Sequence, residues 1–304
     1  MKKIFGIGGA ILTVLLVAAC TVYFFFPGVI VNAVQSSAAS NAGLERKTIS
    51  VDGYDVHYYD GGAGPALILL HGMGDEKNSF VQAASHLTAS HRVILPDLKG
   101  HGENERVSGL DYSIGGQVDF VDAFAQALEL STFSIGGNSM GGHTSVAFTI
   151  HHPTKVENLI IVNAPGLVLD DHIVYGGFED RLESREDLYA VMDRVVVKRP
   201  TMPGPIASHM IKRVNADFDF LNEMAAQIRG GRDHALNDQV SSIQAPTLIL
   251  WGRHDEVVKY NVAEGYDAMI ENSSLKVFEN ASHSPQLEIA DEIGQAMLAF
   301  LQDQ

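Results

Sequence analysis

The chain begins with a long apolar stretch before any regular alternation of polar and apolar positions. After Lys2 and Lys3 no charged residue occurs until Glu45, and residues 4–31 are mostly Ile, Leu, Val, Ala and Phe. About 20 apolar residues span a bilayer, whereas the apolar region of a cleaved signal peptide is usually about 7–15 residues long. The pattern predicts an N-terminal membrane anchor or signal segment over residues 1–31.

Two alternatives remain open for this segment. Val17-Ala18-Ala19-Cys20 resembles a lipobox, in which Cys20 would carry lipid and become the N-terminus, although Thr21 to Phe26 stays apolar where lipoproteins usually turn polar. Cleavage as a secretory signal is the other alternative. In the retained form the two lysines stay in the cytoplasm by the positive-inside rule and the rest of the chain is exported.

After the apolar segment come a short polar stretch and then the first alternating pattern that is typical of strands. Residues 32–43 are small and polar and predict a flexible linker, so the folded domain is expected over residues 44–304. Residues 48–51 and 56–59 then alternate around Asp52-Gly53, which predicts a β-hairpin.

Short apolar runs alternate with helical stretches through the rest of the domain. The runs are mostly bounded by Gly, Pro, Asp or Asn, and they cover residues 66–70, 93–95, 133–135, 159–162 and 247–251. Residues 117–130 and 140–150 have helical patterns between them. This arrangement predicts an α/β fold with a mostly parallel sheet and helices on both faces.

One region interrupts the alternation. Residues 168–234 contain no comparable apolar run and are rich in charged, aromatic and methionine residues. So long an excursion between two strands is uncommon in a compact fold. It predicts a helical cap insertion with an apolar underside over a pocket, and the alternative is a pair of surface helices.

Composition excludes several function classes. Hydrophobic residues make up 46% of the 304 residues, which is enough for a large core. The net charge of −16 disfavours binding to nucleic acid or to anionic headgroups. Cys20 is the single cysteine, so the chain has neither an internal disulfide nor a CxxC metal or redox site.

The sequence Gly137-Asn138-Ser139-Met140-Gly141 is the strongest chemical signal. It follows the apolar run at residues 133–135 and precedes a helical stretch, which is the context of a nucleophile elbow. Small residues two before and two after the serine allow the tight turn that exposes its hydroxyl. The alternative is a glycine-rich helix N-terminus or phosphate cradle, but no GxGxxG pattern is present.

A serine nucleophile needs a histidine base and an acid, which follow in the order Ser, Asp or Glu, His in this arrangement. Among 13 histidines, His283 lies in a small-residue loop between a predicted strand and the last helix. Asp255 follows the apolar run at residues 247–251, where ligands of α/β folds bind. Asp170 and Asp171 are the alternative acids.

The oxyanion of an acyl-transfer reaction needs backbone N–H donors. Met140, the residue after the nucleophile, offers one donor at the positive end of its helix. The loop His71-Gly72-Met73-Gly74 offers the Met73 N–H, and His71 is expected to brace this loop.

With these motifs and Asp97-Leu98-Lys99-Gly100-His101-Gly102, residues 46–302 resemble the α/β-hydrolase superfamily. The anchor and the elbow look like those of bacterial lipases and esterases and of membrane-anchored monoacylglycerol lipases. The resemblance implies a catalytic triad, an oxyanion hole, a cap over residues 168–234, and no cofactor or metal. The triad is Ser139, Asp255 and His283, and the oxyanion donors are Met73 and Met140. Dehalogenase and epoxide hydrolase activities are excluded because the elbow carries a serine instead of an aspartate.

The expected function is a serine carboxylester hydrolase that acts on acylglycerols or similar lipid esters through an acyl-enzyme. The alternatives are a C–C bond hydrolase of aromatic ring-fission products, which resembles the chain less around His283, and a non-catalytic binding module. The expected location is the bacterial inner membrane, with a single span and a periplasmic catalytic domain. Because the triad lies beyond the linker, removal of residues 1–40 is expected to leave kcat on a short soluble ester unchanged.

Overall fold

A sheet of eight strands organises residues 20–169, 175–177 and 179–303, which the computed structural model describes. The strands are β1 (Leu44–Val51), β2 (Tyr54–Gly61), β3 (Ala66–Leu70), β4 (Arg92–Pro96), β5 (Phe133–Asn138), β6 (Val156–Val162), β7 (Thr247–Gly252) and β8 (Ser273–Phe278). Their order is β1-β2-β4-β3-β5-β6-β7-β8. β2 pairs antiparallel with β1 and β4, and the other neighbours are parallel.

Helices connect these strands. They are α1 (Pro27–Asn41), α2 (Val81–Ala84), α3 (Ile114–Ala127), α4 (Met140–His151), α5 (Arg185–Asp193), α6 (Gly204–Gly230), α7 (Asn261–Met269), α8 (Pro285–Glu288) and α9 (Ala290–Gln302). The hairpin predicted around Asp52-Gly53 joins β1 to β2, and both turn residues have positive φ, at 51° and 87°. The predicted α/β fold with a mostly parallel sheet is confirmed.

Apolar side chains fill the space on both faces of the sheet. In β3, Ile68 and Leu70 belong to one hydrophobic cluster, whereas Leu67 and Leu69 belong to the other. A strand that is buried on both faces must be apolar at every position, which explains the unbroken run of the sequence here. Trp251, near the end of β7, is fully buried in the first cluster.

The prediction of a flexible linker over residues 32–43 is wrong. Residues 27–41 form α1, which begins with Pro27 at its first turn and buries Ala39. Small side chains let the helix approach its neighbours closely: a Cβ on Gly28 would lie 2.8 Å from the His209 ring of α6. The alanine and serine residues that suggested a tether instead form a helix whose end packs into the domain.

The predicted membrane anchor lies mostly outside the described residues, which begin at residue 20. Residues 20–25 are helical and α1 follows directly. Within the described part of the chain, none of the helices has both the length and the apolar character that crossing a bilayer requires.

Two helices, α5 and α6, lie between β6 and β7 in the region where the cap is predicted. They share a small hydrophobic cluster of their own that includes Leu188 and Ala207. The C-terminal half of α6 reaches the main core and also contacts two loops. A Cβ on Gly74 would lie 3.3 Å from Leu221, and one on Gly100 would lie 2.6 Å from Phe220. α6 therefore lies over the loops that follow β3 and β4.

Candidate active site

Ser139 occupies a sharp turn between β5 and α4. Its φ of 54° and ψ of −121° are an uncommon conformation for a side chain other than glycine, and such strain is frequent at functional sites. A Cβ on Gly137 would lie 2.5 Å from the carbonyl carbon of Gly141, and one on Gly141 would lie 2.3 Å from the Leu70 oxygen. Both flanking positions therefore require glycine, and Ser139 remains partly exposed.

The structure brings His283 and Asp255 together. His283 Nδ1 lies 2.8 Å from Asp255 Oδ2, and both side chains are buried. The other oxygen, Oδ1, accepts the backbone N–H groups of Val257 and Val258 at 2.7 and 2.8 Å. The backbone groups around Asp255 are donors and its carboxylate acts as the acceptor, so His283 Nδ1 carries the hydrogen that faces it.

Asn138 ties this pair to the elbow. Its Nδ2 donates to the His283 carbonyl at 2.8 Å and to the Val162 carbonyl at 3.2 Å. The loop that carries His283 is thereby held against the residue next to Ser139, although the two are far apart in the sequence. Ser139, Asp255 and His283, which the sequence singled out, therefore lie in one region at the carboxyl ends of β5, β7 and β8.

Asn163 supports the same carboxylate and was not anticipated from the sequence. Its Nδ2 donates to Asp255 Oδ2 at 2.7 Å, while its Oδ1 accepts the Gly252 N–H at 3.1 Å. It directly follows β6 and has a φ of 44°. A polar residue after a buried strand was the available signal, but the pattern does not show which carboxylate it contacts.

The loop of residues 71–77, here called the oxyanion loop, lies beside the nucleophile. A Cβ on Gly72 would lie 3.3 Å from Ser139 Cβ. His71 Nε2 accepts the Leu98 N–H at 2.9 Å, so its Nδ1 is the donor to the Gly72 carbonyl at 2.8 Å. His71 is thus a neutral brace of the loop, as expected. Met73, the predicted donor, directly follows Gly72 in this loop and is partly buried.

The second predicted donor, Met140, is the first residue of α4. The His143 N–H already closes the first turn by donating to the Ser139 carbonyl at 2.9 Å. The N–H groups at the start of a helix have no acceptor within the helix, and they lie at the positive end of its dipole. The Met140 N–H therefore belongs to the positive end of α4, directly after Ser139.

Asp97 closes the far end of the oxyanion loop. Its carboxylate accepts the Lys77 N–H and the Lys77 Nζ, each at 2.7 Å, and Lys77 also donates to Glu103 at 2.6 Å. Burial alone would lower the pKa of Lys77, but Asp97 and Glu103 raise it above its usual range. Lys77 therefore stays charged, and the role of Asp97 is structural.

The other acids and histidines that the sequence offers fall into two groups. Asp170 and Asp171, the alternative acids, lie outside the described residues. His101 and His143 are buried, and burial lowers the pKa of each to about 3. Over the described ranges no group of three or more His, Cys, Asp or Glu side chains could hold a metal ion.

A cavity of about 520 Å³ opens between the oxyanion loop and three helices, α1, α5 and α6. We call it the cap cavity. Met73 lies on its oxyanion-loop side, and its apolar lining from the helices includes Val34, Ala38, Val191, Met210, Val214 and Leu221. A volume in this range suits a small-molecule ligand. Its apolar part suits a hydrocarbon chain, while Glu76, Arg213 and Asp217 supply charged groups to the same lining.

Comparison with known proteins agrees with this geometry. Residues 65–289 match the family model described as the alpha/beta hydrolase fold. The chain belongs to the α/β-hydrolase family. It is 29% identical over 271 residues to Lipase 1 of Psychrobacter immobilis, with 84% of each chain covered. It is 24% identical to monoacylglycerol lipase ABHD6 of Bos taurus, with 98% of this chain and 94% of the relative covered.

One further relative belongs to the alternative class considered from the sequence. A 2-hydroxy-6-oxo-2,4-heptadienoate hydrolase of Pseudomonas putida is 29% identical, with 82% of this chain and 92% of the relative covered. Among solved structures, a membrane phospholipase A described as a bacterial virulence factor superposes with a TM-score of 0.86. The two sequences are 30% identical, and the superposition covers 100% of this chain and 99% of the other. The predicted resemblance to lipases and monoacylglycerol lipases is confirmed.

Proposed function

We propose that this α/β hydrolase is a serine carboxylester hydrolase whose substrates are acylglycerols or similar lipid esters. The observation that carries the proposal is the hydrogen bond between His283 and Asp255, held beside the Ser139 elbow by Asn138. The lipase relatives support the substrate class.

The reaction follows from the hydrogen bonds of the site. Asp255 keeps the hydrogen of His283 on Nδ1, which leaves Nε2 free of a proton and able to accept one from the Ser139 hydroxyl. Ser139 Oγ attacks the ester carbonyl, and the Met73 and Met140 N–H groups stabilise the oxyanion. His283 then protonates the leaving alcohol, and water releases the acid from the acyl-enzyme by the same steps.

The cap cavity is the proposed site of the acyl chain. Its oxyanion-loop side carries Met73, while α5 and α6 supply apolar walls. An acyl chain in this cavity would have its carbonyl close to the oxyanion loop.

Substitution of the nucleophile tests the proposal. Wild type is expected to release fatty acid from monooleoylglycerol and p-nitrophenol from p-nitrophenyl butyrate. Ser139→Ala should retain less than about a thousandth of either rate, because no acyl-enzyme can form. Circular dichroism should show that the variant is folded. Residual activity above that level would contradict the assignment of Ser139.

C–C bond hydrolysis remains the second candidate because one relative with that activity is 29% identical. Product analysis separates the two. An ester substrate yields an acid and an alcohol, whereas a ring-fission product yields an acid and a fragment with a new C–H bond. Faster turnover of a ring-fission product than of any ester in a chain-length series would favour the second candidate.

The proposal includes attachment to a bacterial inner membrane through the N-terminal segment, with the catalytic domain in the periplasm. Apolar attachment is not weakened by salt, so the full-length protein should stay in the membrane fraction after a high-salt wash. Release by salt would contradict the attachment. Cys20 is exposed, and lipid found on it by mass spectrometry would identify a lipoprotein instead of a transmembrane anchor.

A further inference from the structure

Glu76 joins the oxyanion loop to two helices that lie outside the sheet. Its Oε1 accepts the Gln35 Nε2 of α1 at 2.8 Å, and its Oε2 accepts the Arg213 Nη2 of α6 at 3.0 Å. Asn78 Nδ2 also donates to Oε1, at 2.9 Å. One carboxylate therefore connects three parts of the chain that are distant in sequence.

This contact differs from an ordinary surface ion pair. The Glu76 side chain is only 13% exposed. Burial alone would raise the pKa of Glu76, but the hydrogen bond from Arg213 lowers it below its usual range, so the carboxylate is charged. Removing a partner of a largely buried carboxylate leaves the charge without compensation, which costs more than losing an exposed pair.

Because Glu76 lies in the oxyanion loop, its contacts can affect the position of that loop. The loop is tied to the domain at one end by His71 and at the other by Lys77. Between these ties lie Met73, the proposed oxyanion donor, and Gly74, which is exposed. Glu76 hydrogen-bonds this part of the loop to α1 and α6, and Gly74 also lies close to Leu221 of α6.

We propose that Glu76 is a positioning residue for ester hydrolysis, and that through Gln35 and Arg213 it makes the placement of the Met73 N–H depend on α1 and α6. This inference rests on the proposed function. It makes α1 part of the catalytic unit. The expectation that removal of residues 1–40 leaves kcat unchanged is therefore replaced, because the removal takes Gln35 away and uncovers the loop.

The expected size of the effect follows from the chemistry of oxyanion holes. Loss of a whole donor costs about 10²–10³ in kcat, so partial displacement of one donor should cost roughly tenfold. A displaced donor weakens binding of the transition state and leaves ground-state binding of a short ester nearly unchanged. The KM for such a substrate should therefore stay within about twofold of wild type.

Two variants of the full chain test the coupling, and each has a matched control. Glu76→Gln removes the charge, and Gln35→Ala removes the contact from α1. Ser36→Ala changes the exposed residue next to Gln35 on α1. Asp219→Asn changes an exposed residue of α6 and breaks its ion pair with Arg181. The measurements are kcat and KM for p-nitrophenyl acetate, the rate of Ser139 phosphonylation by a fluorophosphonate, Tm, and amide hydrogen exchange of residues 72–79.

The expected result is a parallel loss in kcat and in phosphonylation rate for Glu76→Gln and Gln35→Ala, with faster exchange of residues 72–79 and no change in the controls. The double variant should lose less than the product of the single losses, because both single variants affect the same contact, between Gln35 and Glu76. A kcat within about twofold of wild type in both variants, or a loss confined to KM or Tm, would overturn the proposal.

Failure of the proposed function gives a different result. Wild type would then hydrolyse none of the esters, while the exchange measurement would still show whether Gln35→Ala releases residues 72–79. Full ester hydrolysis by Gln35→Ala and Glu76→Gln, with none by Ser139→Ala, would refute only the role of Glu76.

Discussion

At the scale of single residues, Asp255 is the side chain whose replacement has the most specific expected result. Its Oδ2 receives hydrogens from both His283 and Asn163. In Asp255→Asn, with the amide oxygen facing Val257 and Val258, the NH₂ group would face His283, which must then accept through Nδ1. The hydrogen would move to Nε2, so kcat should fall by about 10⁴ while the fold is retained.

Steady-state kinetics on p-nitrophenyl butyrate measures this loss, and a native circular dichroism spectrum is the control. If Asp255→Asn keeps most of its activity and Asp170→Asn or Asp171→Asn loses it, the acid is Asp170 or Asp171 and not Asp255. The acid would then have to approach His283 from the segment after β6.

The sequence pointed to Ser139, Asp255 and His283 of the candidate site because each follows a recognisable strand. Ser139 has a glycine pattern, and Asp255 and His283 have the right order and position. Asn163 had no such signal: it is 92 positions from Asp255, and its role depends on the spacing of β6 and β7 in the sheet. Contacts of this kind follow from the packed structure and not from a local pattern.

At the scale of elements, the cap cavity predicts a change in chain-length preference. Val214 of α6 lines the cavity, so Val214→Glu would place a charge where an acyl chain is proposed to bind. Burying an uncompensated charge against a hydrocarbon is costly. The variant should lose about tenfold or more in kcat/KM on monooleoylglycerol and much less on p-nitrophenyl acetate.

Ala216→Glu is the matched control, because it adds the same charge to an exposed position of α6. It should leave both rates near those of wild type. Equal losses on the two substrates in Val214→Glu would mean that this part of α6 contributes to stability and not to the binding of long chains.

Element prediction succeeded where periodicity is strong and failed where composition was ambiguous. The β3 run was identified because a strand buried on both faces is apolar throughout. The Asp52-Gly53 turn was identified because this dipeptide favours the positive φ angles of a tight hairpin turn. α1 was missed because its alanines and serines are equally compatible with a linker, and only contact with α6 shows that it packs. Within the predicted cap, Met192 and Met210 both pack against the small cluster of α5 and α6, and Met210 also lines the cavity.

At the scale of the whole molecule, buried histidines predict how stability depends on pH. The pKa of His101 and of His143 is lowered by burial to about 3, from an ordinary value near 6.5. Below about pH 6.5 the unfolded chain takes up protons that the folded chain does not. Stability should therefore fall as the pH drops from about 6.5 towards 3.

Urea midpoints at pH 7.5, 6.5, 5.8 and 5.0 measure this dependence in a range where most carboxylates stay ionised. Wild type should show a falling midpoint, and His143→Gln should show a smaller fall, although its stability at pH 7.5 is reduced. Burial also lowers the pKa of His91, His152 and His234, so the slope should not vanish in the variant. A midpoint that is constant or rises over this range would contradict the prediction.

The buried position of Trp251 gives the protein an intrinsic optical reporter. It is the single tryptophan of the chain, and it lies fully buried in β7, four positions before Asp255. Tryptophan fluorescence therefore comes from one place, the strand that precedes Asp255, the proposed acid of the triad. An emission maximum at short wavelength should mark the intact strand, and its shift to the red during unfolding should coincide with loss of the catalytic arrangement.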